Sequence, residues 1–435
     1  MKQLTEINTP FASFADSSLI GQDKSWLQTL RQTALQQFER HGLPSRKQED
    51  WKYTSLWELG QQTFSHSPAE VVLTNQQCEQ VALLESAYRI VIVDGIYVAA
   101  LSQLDNLETG LSIAPLSASL DSVEPYLNQQ VDVNKAGLNA LNTLLMNEGA
   151  VINVAANAHI EKPIELLIIN SGRRENLATH LRNMVILEEG AQATLVEHYV
   201  GLQQNVPGFT DVVTEVVLAE KAILNHYKLQ QESACSFHIA TMAARQAAGS
   251  LWHTNNIALG GKLARTDLHS RLLGEQAHTT MDGLYLVKDE QLIDNHTRID
   301  HEVPNTTSEE VYKGVLDGAS HAIFNGKVIV HKDAQKTDAN QSNCNLLLSR
   351  NCEIDSKPEM EIYADDVKCG HGSTVGQLDE DQLFFLRARG LDEVTARSLL
   401  TYAFAVEVLE RIPAENIRQP LSNVIEQRLP RKGNA

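Results

Sequence analysis

The chain of 435 residues carries 36 basic and 55 acidic side chains, a formal net charge of −19, and it is 43% hydrophobic and 21% charged. This composition excludes the collagen-like, disordered and disulfide-scaffold classes. The negative charge argues against nonspecific binding to nucleic acid or to an anionic membrane, because phosphate groups would be repelled. No apolar run approaches the roughly 18 residues of a membrane-spanning helix. From the charge and the absence of such a run, we expect neither nucleic acid nor a membrane among the partners.

The five cysteines are odd in number, widely spread and free of any C-x-x-C pair. A secreted disulfide framework is denser than this, and a zinc ribbon needs such pairs. Residues 1–19 also lack the apolar segment behind a basic start that marks a signal peptide. We therefore expect a cytoplasmic protein with reduced thiols. Four of the cysteines are interpreted as core residues: Cys78, Cys235, Cys344 and Cys352.

The N-terminal region, which we place at residues 1–88, has helical character. Apolar residues recur at helical spacing over residues 25–39, and Gly42 followed by Pro44 ends that helix. The following segment, residues 45–54, is predicted to be a charged loop with two aromatic anchors, Trp51 and Tyr53.

The central region, placed at residues 89–372, is predicted to consist of strands. Short runs rich in Val and Ile, typical of buried strands, occur at residues 90–93, 166–169, 212–218 and 328–330. Helical periodicity is nearly absent from about 150 to 370, apart from a short piece just before it, near residues 138–147. Doubly wound α/β folds and TIM barrels need a helix after each strand and are excluded. The fold class is therefore mainly β.

A weak internal repeat supports a solenoid. The strand around His198 aligns with the strand around His226, and His253 follows at a similar interval of about 27 residues. Coils of this length hold two or three short strands each. The three histidines would then stack along one face, as a structural stack of partly buried rings or as a functional ladder. Chance matching in a sequence rich in Val and Ala is the alternative.

The C-terminal region, placed at residues 373–435, returns to helix. Asp379 is predicted to cap one helix that ends at Gly390, and Asp392 to cap a second that stops before Pro413. Two capped helices joined by a short link form a helical hairpin.

The densest group of chemically reactive side chains surrounds Cys369 and His371. If this stretch is extended, the two side chains point the same way. A thiolate and an imidazole together suit iron or zinc. Two ligands do not close a tetrahedral site, so a metal here needs further ligands, and a partner chain is the natural source. The alternative is that Cys369 is a small buried hydrophobic residue and His371 a hydrogen-bonded histidine of a turn.

A second polar group contains three acids and two histidines. It fits either a weak metal site or a solvated turn between strands; its members are Asp294, His296, Asp300, His301 and Glu302. Other chemistries are not indicated, because the chain has no phosphate-binding G-x-x-x-x-G-K-[ST] loop, no G-x-S-x-G elbow and no dinucleotide-type G-x-G-x-x-G.

Three segments closely resemble the SufB/SufD family of iron–sulfur cluster assembly proteins. The longest covers residues 357–376 and contains both Cys369 and His371; the others are residues 340–348 and 384–390. The N-terminal residues 42–54 are similar to the SufD branch in particular. The cysteine-rich N-terminal motif of many SufB proteins is missing, which also favours SufD.

This resemblance implies a right-handed parallel β-helix flanked by N-terminal and C-terminal helical regions. It implies a non-catalytic scaffold subunit that pairs with SufB and with the SufC ATPase, and that contributes to de novo cluster formation and iron acquisition at the SufB–SufD junction. Cys369 and His371 fall on the positions that would bind the cluster or iron, and Tyr402 and Phe404 on the part that docks the ATPase. The isolated chain would bind no cofactor tightly and could form a homodimer.

Two other functions remain open at this point. A parallel β-helix also carries polysaccharide lyases and hydrolases, which rely on clustered carboxylates in a groove. The second alternative is a stand-alone metal-binding protein that uses the side chains between Asp294 and His301.

Overall fold

The computed structural model describes residues 19–66, 73–132 and 137–429. Most of the N-terminal stretch on which the expectation about targeting rests therefore lies outside the described residues. The centre is a parallel β-solenoid built from two long sheets, which confirms the predicted mainly β fold. No helix within the described ranges combines the length and the apolar character that crossing a bilayer requires.

Each coil of the solenoid contributes one strand to each sheet. The first sheet has the order β19-β17-β15-β13-β11-β9-β7-β5-β1-β2 and the second has the order β18-β16-β14-β12-β10-β8-β6-β4-β3. The strands are β1 Tyr88–Val93, β2 Ile96–Tyr97, β3 Leu111–Pro115, β4 Ala150–Val154, β5 Ile164–Asn170, β6 Leu177–Leu187, β7 Gln192–Gly201, β8 Gly208–Leu218, β9 Ile223–Gln231, β10 Phe237–Gln246, β11 Leu251–Ala258, β12 Leu263–Leu272, β13 His278–Val287, β14 Leu292–His301, β15 Thr307–Leu316, β16 His321–Val330, β17 Asp338–Leu347, β18 Glu353–Ile362 and β19 Lys368–Gly376.

Side chains alternate along each strand between the inside and the outside of the solenoid, and the inward ones form its interior. On β8, for example, Val212, Val216 and Leu218 point inward and join the main hydrophobic cluster. Burial of such side chains contributes about 1.5–3 kcal/mol each relative to full exposure. The runs predicted at residues 90–93, 166–169, 212–218 and 328–330 all lie in strands, because both faces of most coils are covered.

The predicted stack of three histidines is wrong. His226 lies opposite Leu195 of β7, so His198 is in register with Leu229 instead. His253 lies opposite Asn225, one position away from His226. Successive coils differ in length, since Leu195 pairs with His226 but His226 pairs with Thr254, and a shift of an odd number of positions moves a side chain to the other face of the sheet.

The helices lie mainly before and after the solenoid. Their bounds are α1 Ser25–His41, α2 Trp57–Gln61, α3 Asn75–Val81, α4 Leu120–Val123, α5 Gly137–Leu145, α6 Glu380–Ala388, α7 Glu393–Leu409 and α8 Glu415–Arg428, with short 3-10 turns at Glu49–Trp51, Ala99–Leu101 and Leu116–Ala118.

The predicted helix ends agree with the structure. Gly42 follows α1 with a φ of 61°, a left-handed conformation that favours glycine. The Asp379 carboxylate accepts from the first turn of α6, and the Asp392 carboxylate accepts from the Thr395 amide of α7. Helix α8 was not predicted, because Pro420 lies inside it and a proline within a helical pattern normally ends the helix.

The predicted aromatic anchor Trp51 fastens the N-terminal loop to the second sheet. The guanidinium of Arg265 stacks over the Trp51 ring, 3.8 Å from its centre, and also binds the buried Asp294 carboxylate at 2.8 Å. The Thr54 hydroxyl donates to the same carboxylate at 2.5 Å. These contacts hold the N-terminal loop against strands β12 and β14, which lie far from it in sequence.

Candidate functional site

The last coil of the solenoid forms an open end. Strands β18 and β19 are the terminal strands of the two sheets, each paired on one side only within the described residues. Nearly all of β19 is exposed, and β18 is only half-buried. An unpaired strand edge presents free N–H and C=O groups that can pair with another chain. This end can therefore pair with a further strand.

Cys369 and His371 both lie on this terminal strand. Cys369 is in register with the buried Ala339 of β17, and His371 with the buried Gln341. Both therefore continue the inward row of the preceding coil, as the predicted alternation requires. Cys369 packs against the edge of the main hydrophobic cluster, whereas His371 is exposed. The structure places the two predicted ligands on one face with different access to solvent.

The thiol of Cys369 is half-buried and neutral in this setting. Its burial raises the pKa above the ordinary value, and the nearby Asp338 carboxylate acts in the same direction. A metal ion binds the thiolate, so binding would have to displace the proton. Within the described residues, no third histidine, cysteine or carboxylate joins Cys369 and His371 in a possible metal-binding group. The pair can supply two ligands of a larger set.

A polar column continues from this row into the solenoid. The Gln341 amide donates to the buried Glu310 carboxyl of β15 at 2.6 Å. Gly326 makes room for this amide, because a Cβ there would lie 2.1 Å from Gln341 Nε2. Burial raises the pKa of Glu310 to about 7, although the hydrogen bond from Gln341 opposes the shift. A buried acid that titrates near neutral pH thus lies two strands behind His371.

The two terminal strands are joined by hydroxyl groups. The Ser356 hydroxyl of β18 lies 2.7 Å from the Ser373 hydroxyl of β19 and donates to Asn343 of β17 at 2.7 Å. This bridge fixes the spacing of the open end, on the same inward row as His371. Apolar side chains surround the open end: Ile362 is 43% exposed, Tyr363 61% and Val375 52%.

The C-terminal hairpin of α6 and α7 presents a second exposed apolar surface. Phe384 is 74% exposed, and the other exposed members are Phe385, Val394 and Leu399. We call these four residues the hairpin patch. Isolated surface apolar residues are ordinary, but four of them on one helical hairpin make it a candidate interaction site.

The predicted docking residues Tyr402 and Phe404 lie elsewhere on α7 and are half-buried. Tyr402 packs against the hydrophobic cluster beneath the C-terminal helices. The Lys313 ammonium of β15 lies 4.4 Å from the centre of the Phe404 ring and pairs with Glu407. Both rings therefore contact the solenoid or its covering helices, and their role in partner binding stays a prediction.

The second polar group is not assembled as a metal site. The Asp294 carboxylate is bound by Arg265, Thr54 and His296, and the Asp300 carboxylate by Arg298 together with two histidines. Both ring nitrogens of His301 bind hydroxyl groups, at 2.8 and 2.9 Å. Since these acids are neutralised by basic groups, the structure does not favour the stand-alone metal protein or a glycosidase-type carboxylate groove.

The cysteines interpreted as core residues differ in burial. Cys78 and Cys352 are buried, as expected, whereas Cys235 and Cys344 are half-buried. All of them are free thiols, and so is Cys369.

Comparison with known proteins matches two domain families to the chain. The domain described as "SUF system FeS cluster assembly, SufBD core domain" covers residues 168–404, and the "SufBD protein N-terminal region" covers residues 11–166. The chain is 34% identical to the iron-sulfur cluster assembly protein SufD of Escherichia coli over 92% of both chains. It is 33% identical to an iron-sulfur cluster assembly SufBD family protein of Synechocystis, over 98% of this chain and 96% of the relative. The SufD protein of Bacillus subtilis is 24% identical over 94% of this chain and 95% of its own length.

Proposed function

Because the chain belongs to the SufBD family of iron–sulfur cluster assembly proteins and is SufD-like, we propose that it is a non-catalytic scaffold subunit of a cytoplasmic SUF complex. It pairs with a SufB-like subunit and with a SufC-like ATPase that is a separate chain. Its role is to contribute to de novo cluster formation and to iron acquisition at the junction with the SufB-like subunit. The cluster and its iron are cargo of this junction.

One observation carries the proposal: the incomplete pair of ligands lies on an open strand edge. Cys369 and His371 face the same way on β19, and the described residues add no third ligand. A partner that pairs with this edge would bring its own ligands next to them. The exposed Ile362, Tyr363 and Val375 would be buried by the same contact and would supply apolar contact area.

Reconstitution with purified SufB-like and SufC-like proteins tests this function. We expect wild-type protein to support cluster formation from ferrous iron and a sulfide source, as followed by visible absorption. A Val375→Asp variant places a charge at the open edge and should lower the recovered complex severalfold, while the exposed position leaves folding unchanged. Equal cluster yield with this chain omitted would contradict the proposal.

For the ATPase, the hairpin patch offers an exposed docking surface on the part of the chain that the family resemblance assigns to this partner. Helix α7 contacts β13 and β15, so a shift of the hairpin would displace strands of the solenoid. We infer that the SufC-like subunit binds the patch and that ATP hydrolysis biases the open end between two arrangements.

We predict that a Phe384→Asp/Phe385→Asp double variant loses the ATPase. An aromatic residue at an interface centre contributes about 2 kcal/mol, so affinity should fall at least about 30-fold even if only one of the two rings is central. A Tyr402→Ala/Phe404→Ala variant should also bind less, but with a lower melting temperature, because these rings pack against the protein itself. Binding is measured by pull-down and titration. Ile96→Asp, on β2 at the other end of the first sheet, is the control and should bind the ATPase like wild type. Unchanged ATPase binding by the Phe384/Phe385 variant would show that the ATPase does not bind the hairpin patch.

The proposed coupling to ATP hydrolysis has its own test. Cysteine crosslinks between β19 and the SufB-like subunit should form at different rates with and without nucleotide in the assembled complex. Equal crosslinking in both conditions would show that hydrolysis does not move this junction.

A further inference from the structure

A recess on the outer face of the last coil brings three potential metal ligands together. They are His321 at the start of β16, and Glu353 and Asp355 at the start of β18. One ligand atom from each lies within 4.8 Å of the other two. The imidazole Nε2 of His321 is 2.8 Å from a carboxylate oxygen of Asp355. Within the described ranges, no other set of three such side chains converges in this way.

The backbone fixes the relative positions of the three side chains. His321 is directly opposite Glu353 in the parallel ladder between β16 and β18. The Glu353 amide donates to the Ser320 carbonyl at 2.9 Å. Asp355 follows Glu353 by two positions, so both carboxylates project from the same face of the strand. A site on paired strands is held more rigidly than one on a loop.

The two carboxylates of the recess have no lysine or arginine partner in the described residues, and Asp355 pairs with His321. The two basic residues that line the recess bind other groups: Lys262 pairs with Glu58, and Arg46 donates to a backbone carbonyl at 2.9 Å. Adjacent carboxylates repel each other unless a cation lies between them.

From this arrangement we propose that His321, Glu353 and Asp355 bind one divalent transition-metal ion. Imidazole nitrogen combined with carboxylate oxygen suits Fe²⁺, Mn²⁺ or Zn²⁺, whereas Mg²⁺ and Ca²⁺ prefer oxygen ligands alone. Three protein ligands leave coordination positions for water. His321 and Asp355 are each about one quarter exposed, which gives the ion access from solvent.

This site is separate from the ligand pair on β19. His321 precedes the inward-pointing Ala322 and so faces outward, whereas Cys369 and His371 continue the inward row. Metal binding here is a property of the isolated chain and does not depend on a partner. The further assignment of the ion as Fe²⁺ cargo for cluster assembly rests on the proposed function.

Trp57 provides a reporter for the test. Its side chain lines the same recess and is 69% exposed. Paramagnetic Co²⁺ quenches tryptophan fluorescence and prefers the same ligands as Fe²⁺. We expect Co²⁺ to quench the tryptophan fluorescence of the full-length chain saturably. Zn²⁺ should compete with Co²⁺ for the site, and excess Mg²⁺ should not. Trp57→Phe should remove most of the signal while calorimetry still detects binding.

The decisive comparison is His321→Gln, which keeps the side-chain volume but lowers metal affinity. The apparent Co²⁺ affinity should fall at least about tenfold, and Glu353→Gln should behave in the same way. His371→Ala should leave the affinity at this site unchanged, so failure here and failure of the proposed function are distinguishable. Wild-type affinity in His321→Gln, or displacement of Co²⁺ by Mg²⁺ as effective as by Zn²⁺, would overturn the proposal.

Discussion

Replacing His371 with alanine is expected to lower the cluster bound to the reconstituted complex at least about tenfold. The imidazole is the exposed member of the ligand pair on β19, and its loss leaves Cys369 alone on that row. Since the side chain is exposed, the free energy of unfolding should change by less than about 0.5 kcal/mol. Cluster per complex is measured from iron content and visible absorption, and folding is measured by thermal unfolding.

Two further variants sharpen this result. His371→Cys supplies another ligand that iron accepts and should retain more cluster than the alanine variant. Thr374→Ala removes an exposed side chain from the other face of the same strand and should behave like wild type. A full complement of cluster in His371→Ala would show that this histidine does not bind it.

Replacing the buried Glu310 with glutamine is expected to stabilise the protein in alkaline solution. The carboxyl is fully buried, and its pKa is raised from 4.5 to about 7. The folded state therefore holds a proton that the unfolded state has lost, and stability falls as pH rises from 4.5 through 7. Above that range the penalty is complete, at about 3 kcal/mol. Glutamine keeps the shape and can still accept the hydrogen bond from Gln341, but it never ionises.

Urea unfolding at pH 5 and pH 8 measures this effect. The stabilisation by Glu310→Gln should be small at pH 5 and should approach the full value at pH 8. The neighbouring Glu309 is the matched control, because Arg411 holds its pKa below the ordinary value; Glu309→Gln should give no gain at pH 8. A difference between Glu310→Gln and wild type that does not grow with pH would mean that the buried carboxyl does not titrate as described.

Several parts of the fold follow from local sequence signals. Helix α1 has regular apolar spacing and a glycine after its end, and α6 and α7 have aspartate caps. The strands could be predicted because most coils bury both faces of each sheet, which selects continuous Val and Ile runs. In each case the information lies within a few residues of the element itself.

The features that were missed depend on register between distant strands. The alignment of His198 with His226 was locally plausible, but the number of residues in the whole intervening coil decides which residues face each other. Likewise, Glu309 and Glu310 are adjacent acids with no local signal for direction. One points to solvent and the other into the solenoid only because of how the coil is placed.

Some residues of the candidate sites could likewise be predicted from local sequence, and others could not. Cys369 and His371 could be found because they are two positions apart on one strand, where alternation alone puts them on one face. The group of His321, Glu353 and Asp355 could not, since a full coil separates the histidine from the acids. The hairpin patch was missed because its exposure depends on which side of α7 packs on the solenoid.

The proposed function is tested most directly by purifying the full-length tagged chain from its native host and identifying the bound proteins by mass. We expect a SufB-like subunit and a SufC-like ATPase to be recovered together with this chain. We also expect Val375→Asp, at the open end of the solenoid, to recover severalfold less of the SufB-like subunit while keeping the ATPase. Recovery of the chain with copies of itself alone, or a SufB-like subunit retained at wild-type level by the variant, would contradict the proposed function.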